Sequence, residues 1–234
     1  MIQRMPLPPH RIERTRNRTS RAMFDGDEIL IRLAGRLSAS EEERHIQTLL
    51  RRMAKAQAKL VQQTLIDPFR SILNGDSQAT IVMADGTGRS FMIKPGTKTK
   101  AKFQAGGWNI ERASAMDDRS FHRFLWRLLA KSEHSRIEEL VLAINRETLN
   151  LPVRKVRLEI MSVRWGSCSR KGNINLNTAL LFLPESILRY VIIHEIAHIR
   201  HPNHSRAFWE TVESVMPDFA ISLQQIKEYR LPRH

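Results

Sequence analysis

The 234-residue sequence predicts an α+β fold: a small antiparallel sheet beside a helix that carries metal ligands, preceded by a mixed helical and hairpin amino-terminal lobe. Residues 184–201 hold His194, Glu195 and His198 within a helical apolar pattern, residues 156–161 and 173–177 alternate as strands, and the first 131 residues contain an apolar helical stripe and a hairpin turn.

Residues 1–22 are expected to form a basic flexible arm, with Arg4, Arg11, Arg14, Arg16, Arg18 and Arg21 among Pro6, Pro8 and Pro9. Such an arm suits nucleic-acid phosphate or simple solubility. Residues 23–131 read as a lobe of unassigned function. In it Ser40 and Glu43 fit a capping box opening a helix to about Ile66, with Ile46, Leu49, Leu50, Met53, Leu60, Val61 and Leu65 as its stripe. Strands at Thr80–Met83 and Ser90–Ile93 flank the turn Ala84-Asp85-Gly86-Thr87-Gly88. Lys94, Lys98, Lys100 and Lys102 then precede Phe103 and Trp108, a Lys-rich loop able to hold a nucleic-acid strand or simply to be solvated. A helix starts at Asp117 or Asp118, and Ser132 or Ser135 restarts the chain, so that residues 132–234 form the catalytic domain.

That domain contains His194-Glu195-Ile196-Ala197-His198. Two histidines four apart lie one above the other on a helix and can share an ion, with Glu195 beside them to handle the proton of an attacking water. Zinc is the expected ion, and histidine ligation does not exclude other divalent metals. Pro184 and Glu185 suit the first turn, Ile192, Ile196 and Ile199 project opposite the histidines, and Pro202 stops the helix. For the third ligand, His204 ranks ahead of Glu210 or Glu213, and these ahead of His201, which Pro202 biases away from helical geometry.

The flanks make a resemblance specific. Arg164-Trp165-Gly166-Ser167-Cys168-Ser169, Gly172-Asn173-Ile174-Asn175-Leu176-Asn177, Tyr190-Val191-Ile192, the HEIAH segment, Asn203-His204-Ser205, Phe208-Trp209 and Met216-Pro217-Asp218 resemble the YgjP-like metallopeptidase family over about Arg136 to Ile221. The resemblance implies a zincin-type α+β domain, His194, His198 and His204 as zinc ligands, and Glu195 as general base. It also implies a polypeptide substrate or, as the alternative activity associated with the family, a nucleoside triphosphate such as UTP. A nucleic-acid-associated protease and a metal-stabilised nucleic-acid-binding protein are the further readings that the basic character allows.

Around the metal motif, Arg164, Arg170 and Lys171 are candidates for phosphate contact or for a solvated turn, and Trp165 and Asn175 for substrate contact or packing. Tyr190, one turn before His194, is expected to be structural, with donation to an oxyanion or phosphoryl oxygen as the alternative. Asp218 is a candidate helix cap or support for a ligand histidine, and Phe208 with Trp209 reads as a packing face. Cys168, the single cysteine, has no internal disulfide partner and is expected to be a small buried residue. With a net charge of +14 and no apolar run long enough to span a bilayer, the chain is expected in the cytoplasm; its oligomeric state stays open.

Overall fold

The computed structural model describes residues 7–25 and 28–232, and the chain divides into two units, Met1–Thr64 and Leu65–His234. In the first, β1 (His10–Arg14), β2 (Arg21–Asp25) and β3 (Glu28–Leu33) form a sheet with β3 central, parallel to β1 and antiparallel to β2. Ile29, Ile31 and Leu33 alternate onto one face, where Leu49 and Met53 of α1 (Ala39–Gln62) pack against them. The described part of the expected flexible arm thus contains β1 and the start of β2: Arg11 pairs with Glu28 at 2.9 Å, and Arg14 grips the Glu42 carboxylate at 3.0 and 2.7 Å. Arg4 and Pro6 lie outside the described residues. The cap of α1 is Ser38, not Ser40: its N–H donates to Glu41 at 2.7 Å and its hydroxyl accepts from the Glu41 N–H. Both serines satisfy the motif, and Ala39, a strong helix former, lets the earlier one win.

Beyond β4 (Thr64–Leu65) and the one-turn helix α2 (Arg70–Leu73), the second unit builds a four-stranded sheet from β5 (Gln78–Val82), β6 (Gly88–Gly96), β7 (Lys100–Gln104) and β8 (Gly107–Ala113), ordered β5-β6-β8-β7. The expected hairpin is present, but the Lys-rich segment is sheet rather than loop. Lys94 and Lys100 pair with Glu111 of β8 at 3.2 and 3.0 Å, and Phe103 packs its ring on the buried Trp108.

Next, α3 (Asp118–Glu147) is one continuous helix, capped by the Asp117 carboxylate, which accepts from the Ser120 N–H. No restart occurs at Ser132 or Ser135, and the boundary expected at residue 131 falls inside the helix. No Gly or Pro interrupts the segment, and Leu129, Glu133, Ile137 and Val141 keep the same buried side at four-residue spacing. Glu133 is fully buried, with Arg89 Nε 2.6 Å and Arg136 Nε 2.8 Å from its two oxygens. Removing one partner of such an arrangement leaves buried charge uncompensated. Glu133→Ala is expected to cost about 3–5 kcal/mol in urea unfolding, whereas Glu138→Ala, on the exposed side, costs under about 1 kcal/mol.

β9 (Lys155–Glu159), β10 (Gly166–Cys168) and β11 (Asn173–Asn177) form the sheet nearest the metal motif, ordered β10-β11-β9. It is mixed, not purely antiparallel: β10 and β11 make the hairpin, while β9 runs parallel to β11. The segment from 160 to 165 carries the chain to the opposite edge of β11, and buried Asn177 fixes it by donating to the Met161 and Arg164 carbonyls at 2.7 and 2.8 Å. A 3-10 turn at Thr178–Phe182 leads into α4 (Glu185–Arg200), followed by α5 (Arg206–Val215), α6 (Phe219–Gln225), a short 3-10 turn and β12 (Tyr229–Arg230). Among the described residues no helix is long and apolar enough to cross a membrane.

Candidate metal centre

α4 opens at Pro184, carries Glu185 in its first turn, and buries Ile187, Ile192 and Ile196 completely. His201 is its C-cap in extended conformation, as Pro202 requires. The break lets the chain turn back, so that His204 Nε2 lies 3.0 Å from His194 Nε2 and ligand nitrogens of His194, His198 and His204 all fall within 4.8 Å of one another. His201 points elsewhere, its Nε2 3.0 Å from the Thr211 hydroxyl, and Glu210 pairs with Arg206 at 2.6 Å while exposed to solvent.

The imidazoles are oriented from behind. His198 Nδ1–H donates to the His201 carbonyl at 3.0 Å, and His194 Nδ1 lies 3.3 Å from the Tyr190 hydroxyl. A proton on each Nδ1 leaves Nε2 with a lone pair directed into the site. Burial, then the neighbouring His198 and His204, holds His194 down to about 3, and burial likewise lowers His198, so both rings are neutral near pH 7. Tyr190 is thus a support for His194 in this geometry, stacked behind on Phe219. Asp218 takes the N-cap position of α6, as expected, but its exposed side chain makes no cap bond.

Phe208 and Trp209, whose pattern predicts a packing face, form an aromatic shell around the histidines. The fully buried Phe208 ring lies 4.9, 4.6 and 4.9 Å from the His194, His198 and His204 rings, and Trp209 stacks on His204 at 5.7 Å. Ser205, whose hydroxyl accepts from the Phe208 N–H, starts α5 at the position that brings Phe208 underneath. Phe208→Ala is expected to cost about 3–5 kcal/mol in thermal or chemical unfolding and to weaken metal retention in a chelator competition, since the cavity frees all three rings.

Glu195, 5% exposed, faces β10. Burial pushes its carboxyl up to about 8, against a lowering influence from Arg164. The approach is so close that a Cβ on Gly166 would lie 2.5 Å from Glu195 Oε1. A cavity of about 510 Å³ opens here, lined by Arg164, Gly166, Cys168, Arg170 and the His194, His198, His204 and Glu195 set. Trp165 does not line it and packs on the core, while Asn175 donates to the Ser167 hydroxyl at 3.3 Å. Cys168, half-buried rather than buried, has its thiol raised to about 11, by burial and then by Glu195, so it stays protonated at neutral pH.

The family model described as YgjP-like, metallopeptidase domain matches residues 17–229. The chain belongs to this family. The family's description is that of a metallopeptidase domain. The match begins well before Arg136, so the amino-terminal part expected to stand apart also belongs to the YgjP-like sequence. The UTP pyrophosphatase of Escherichia coli strain K12 is 28% identical over 60 residues, which are 26% of this chain and 36% of that protein; the YgjP-like chain thus spans about a third of this curated relative's length. Among solved structures, the metallopeptidase zymogen of Pyrococcus abyssi abylysin shares 28% identity, covering 41% of this chain and 99% of that one at a TM-score of 0.37. The zymogen of Methanocaldococcus jannaschii jannalysin shares 19% identity over 38% of this chain and 94% of that one, with a TM-score of 0.33.

Proposed function

We propose that this YgjP-like chain hydrolyses peptide bonds, with His194, His198 and His204 holding one zinc ion and Glu195 carrying the proton. The donor set fits zinc. Three imidazole nitrogens converge, two of the rings are held neutral, and the 3.0 Å between Nε2 of His194 and His204 is near the roughly 3.3 Å separation of ligands on one tetrahedral ion. When bound, the zinc supplies positive charge that makes water nucleophilic near neutral pH and polarises the scissile carbonyl. Glu195 accepts the proton of the attacking water and returns it to the leaving nitrogen; its burial raises its proton affinity toward the range such a shuttle needs. Tyr190 and the His201 carbonyl hold the ligand rings in register.

The observation that carries the peptide reading is that β10, whose Gly166, Ser167 and Cys168 line the cleft, is an edge strand of its sheet. Its free backbone groups offer an extended polypeptide a strand to pair with beside Glu195. A phosphoanhydride reading has its own support: Arg164 and Arg170 line the same cleft, and the 60-residue similarity is to a UTP pyrophosphatase. Turnover by zinc-reconstituted protein against a mixed peptide library and a nucleoside triphosphate panel separates the two. Chelator-sensitive peptide cleavage with inert triphosphates is the expected result; chelator-sensitive UTP hydrolysis with inert peptides overturns it.

A further inference from the structure

A second cavity, of about 700 Å³, lies away from the histidines, between α3 and β9. Arg123, Arg127, Lys131 and His134 of α3 line one wall; Leu158, Glu159, Ile160 and Ser162 line the other. The first three recur every four residues, so they stand on one face of the helix with a rise of about 6 Å between successive cations. All three are exposed, and none has an ion-pair partner among the described residues. Lys131 Nζ sits 5.9 Å from the centroid of the Trp108 ring. His134 donates from Nε2 to the Val156 carbonyl, 3.2 Å away, and Glu138 lies 3.9 Å from its other nitrogen. The acid in the opposite wall, Glu159, has Arg157 at 3.8 Å. Four of the cations that sequence alone nominated for an anionic partner differ in this respect: Arg11 and Arg14 pair with Glu28 and Glu42, and Lys94 and Lys100 with Glu111.

We propose that the α3–β9 cleft binds the sugar-phosphate backbone of a single-stranded nucleic acid. The row on α3, without ion pairs among the described residues, has a spacing comparable to one nucleotide of an extended strand, which sets three cations against successive phosphates. A recessed groove between a helix and a strand admits one strand more readily than a duplex. No Phe, Tyr or Trp among the described residues lines it, so recognition rests on phosphate charge without an extended stacking platform and is indifferent to sequence.

The test is fluorescence anisotropy of a labelled twenty-nucleotide oligothymidylate with the full chain at several salt concentrations. The triple variant Arg123→Gln/Arg127→Gln/Lys131→Gln keeps good helix formers at exposed sites, and circular dichroism melting verifies its fold. Arg51→Gln/Arg52→Gln/Lys55→Gln, on the exposed side of α1, removes the same charge elsewhere. The proposal expects salt-sensitive binding by the wild type and the α1 variant. For the α3 variant it expects affinity at least about tenfold weaker, with the log–log salt slope reduced by about 2, as loss of three single-strand phosphate contacts requires. Equal weakening by the two variants, an unchanged α3 variant, or no oligonucleotide binding while polyglutamate or inorganic polyphosphate binds each overturns it.

Discussion

Glu195→Gln is expected to lower hydrolytic turnover by about 10²–10⁴-fold while leaving zinc stoichiometry unchanged. The amide keeps the volume of the carboxyl beside Gly166 but cannot take a proton from water, so the histidines and the aromatic shell behind them are left undisturbed. Metal content measured alongside turnover decides the matter: loss of both together would make Glu195 a structural support of the ligand set rather than the proton carrier. Replacing His198 by Ala is the complementary case, expected to lose metal and activity together.

The same substitution has a signature in the metal-free protein. Burial raises the Glu195 carboxyl from 4.5 to about 8, so the folded state holds a proton that the unfolded chain has released. A raised folded value means that the contribution to stability is complete below about pH 4.5 and is lost as pH rises through about 8. Within that window the wild type is expected to lose about 1.4 kcal/mol per pH unit from this group, as an upper bound, and Glu195→Gln to lose none of it. The difference between their urea-unfolding free energies in chelator, at pH 5 and pH 8, measures it. A difference that does not move with pH would mean that Glu195 is solvated in the metal-free protein.

The convergence of the three histidines was legible because it is written in local spacing: His194 and His198 are one turn apart on an amphipathic helix, and Pro202 both ends that helix and leaves His204 able to fold back. What surrounds them was legible only as hydrophobicity. Phe208 satisfies the pattern of an ordinary packing residue, and nothing in the period of α5 says that its neighbours across the core are three imidazoles. Asn177, which pins the segment bearing Arg164, reads as a polar strand-end residue until its two backbone acceptors are seen. The parallel pairing of β9 with β11 was hidden for a similar reason: alternation reports which face a strand buries, not the direction of its partner. Across α3 the error ran the other way. Serines at 132 and 135 resemble starts, but the buried spacing of Leu129, Glu133 and Ile137 continues through them, and tertiary burial outweighs a local capping preference.

Gly166→Ala is expected to cost about 100-fold in turnover with zinc still bound. The added methyl would stand 2.5 Å from Glu195 Oε1, 2.7 Å from its Cγ and 2.8 Å from its Cδ, distances at which one partner must move. β10 is poorly placed to yield, because Gly166 is in register with Leu176 and the preceding Trp165 carbonyl accepts from the Asn177 N–H at 2.8 Å. The Glu195 side chain therefore swings, and a displacement of about 1 Å in a catalytic group is enough for a loss of that size. None of the three histidines borders the new methyl at these distances, so zinc content is expected to match wild type. Ser167→Ala, one residue along β10, removes only the hydroxyl that Asn175 bonds at 3.3 Å and is expected to cost under about tenfold. If Gly166→Ala kept full turnover, Glu195 would not need the position it occupies against β10. If it instead lost zinc, the edge strand and not the glutamate would have moved, and the rigidity of the β10–β11 hairpin would be the wrong premise.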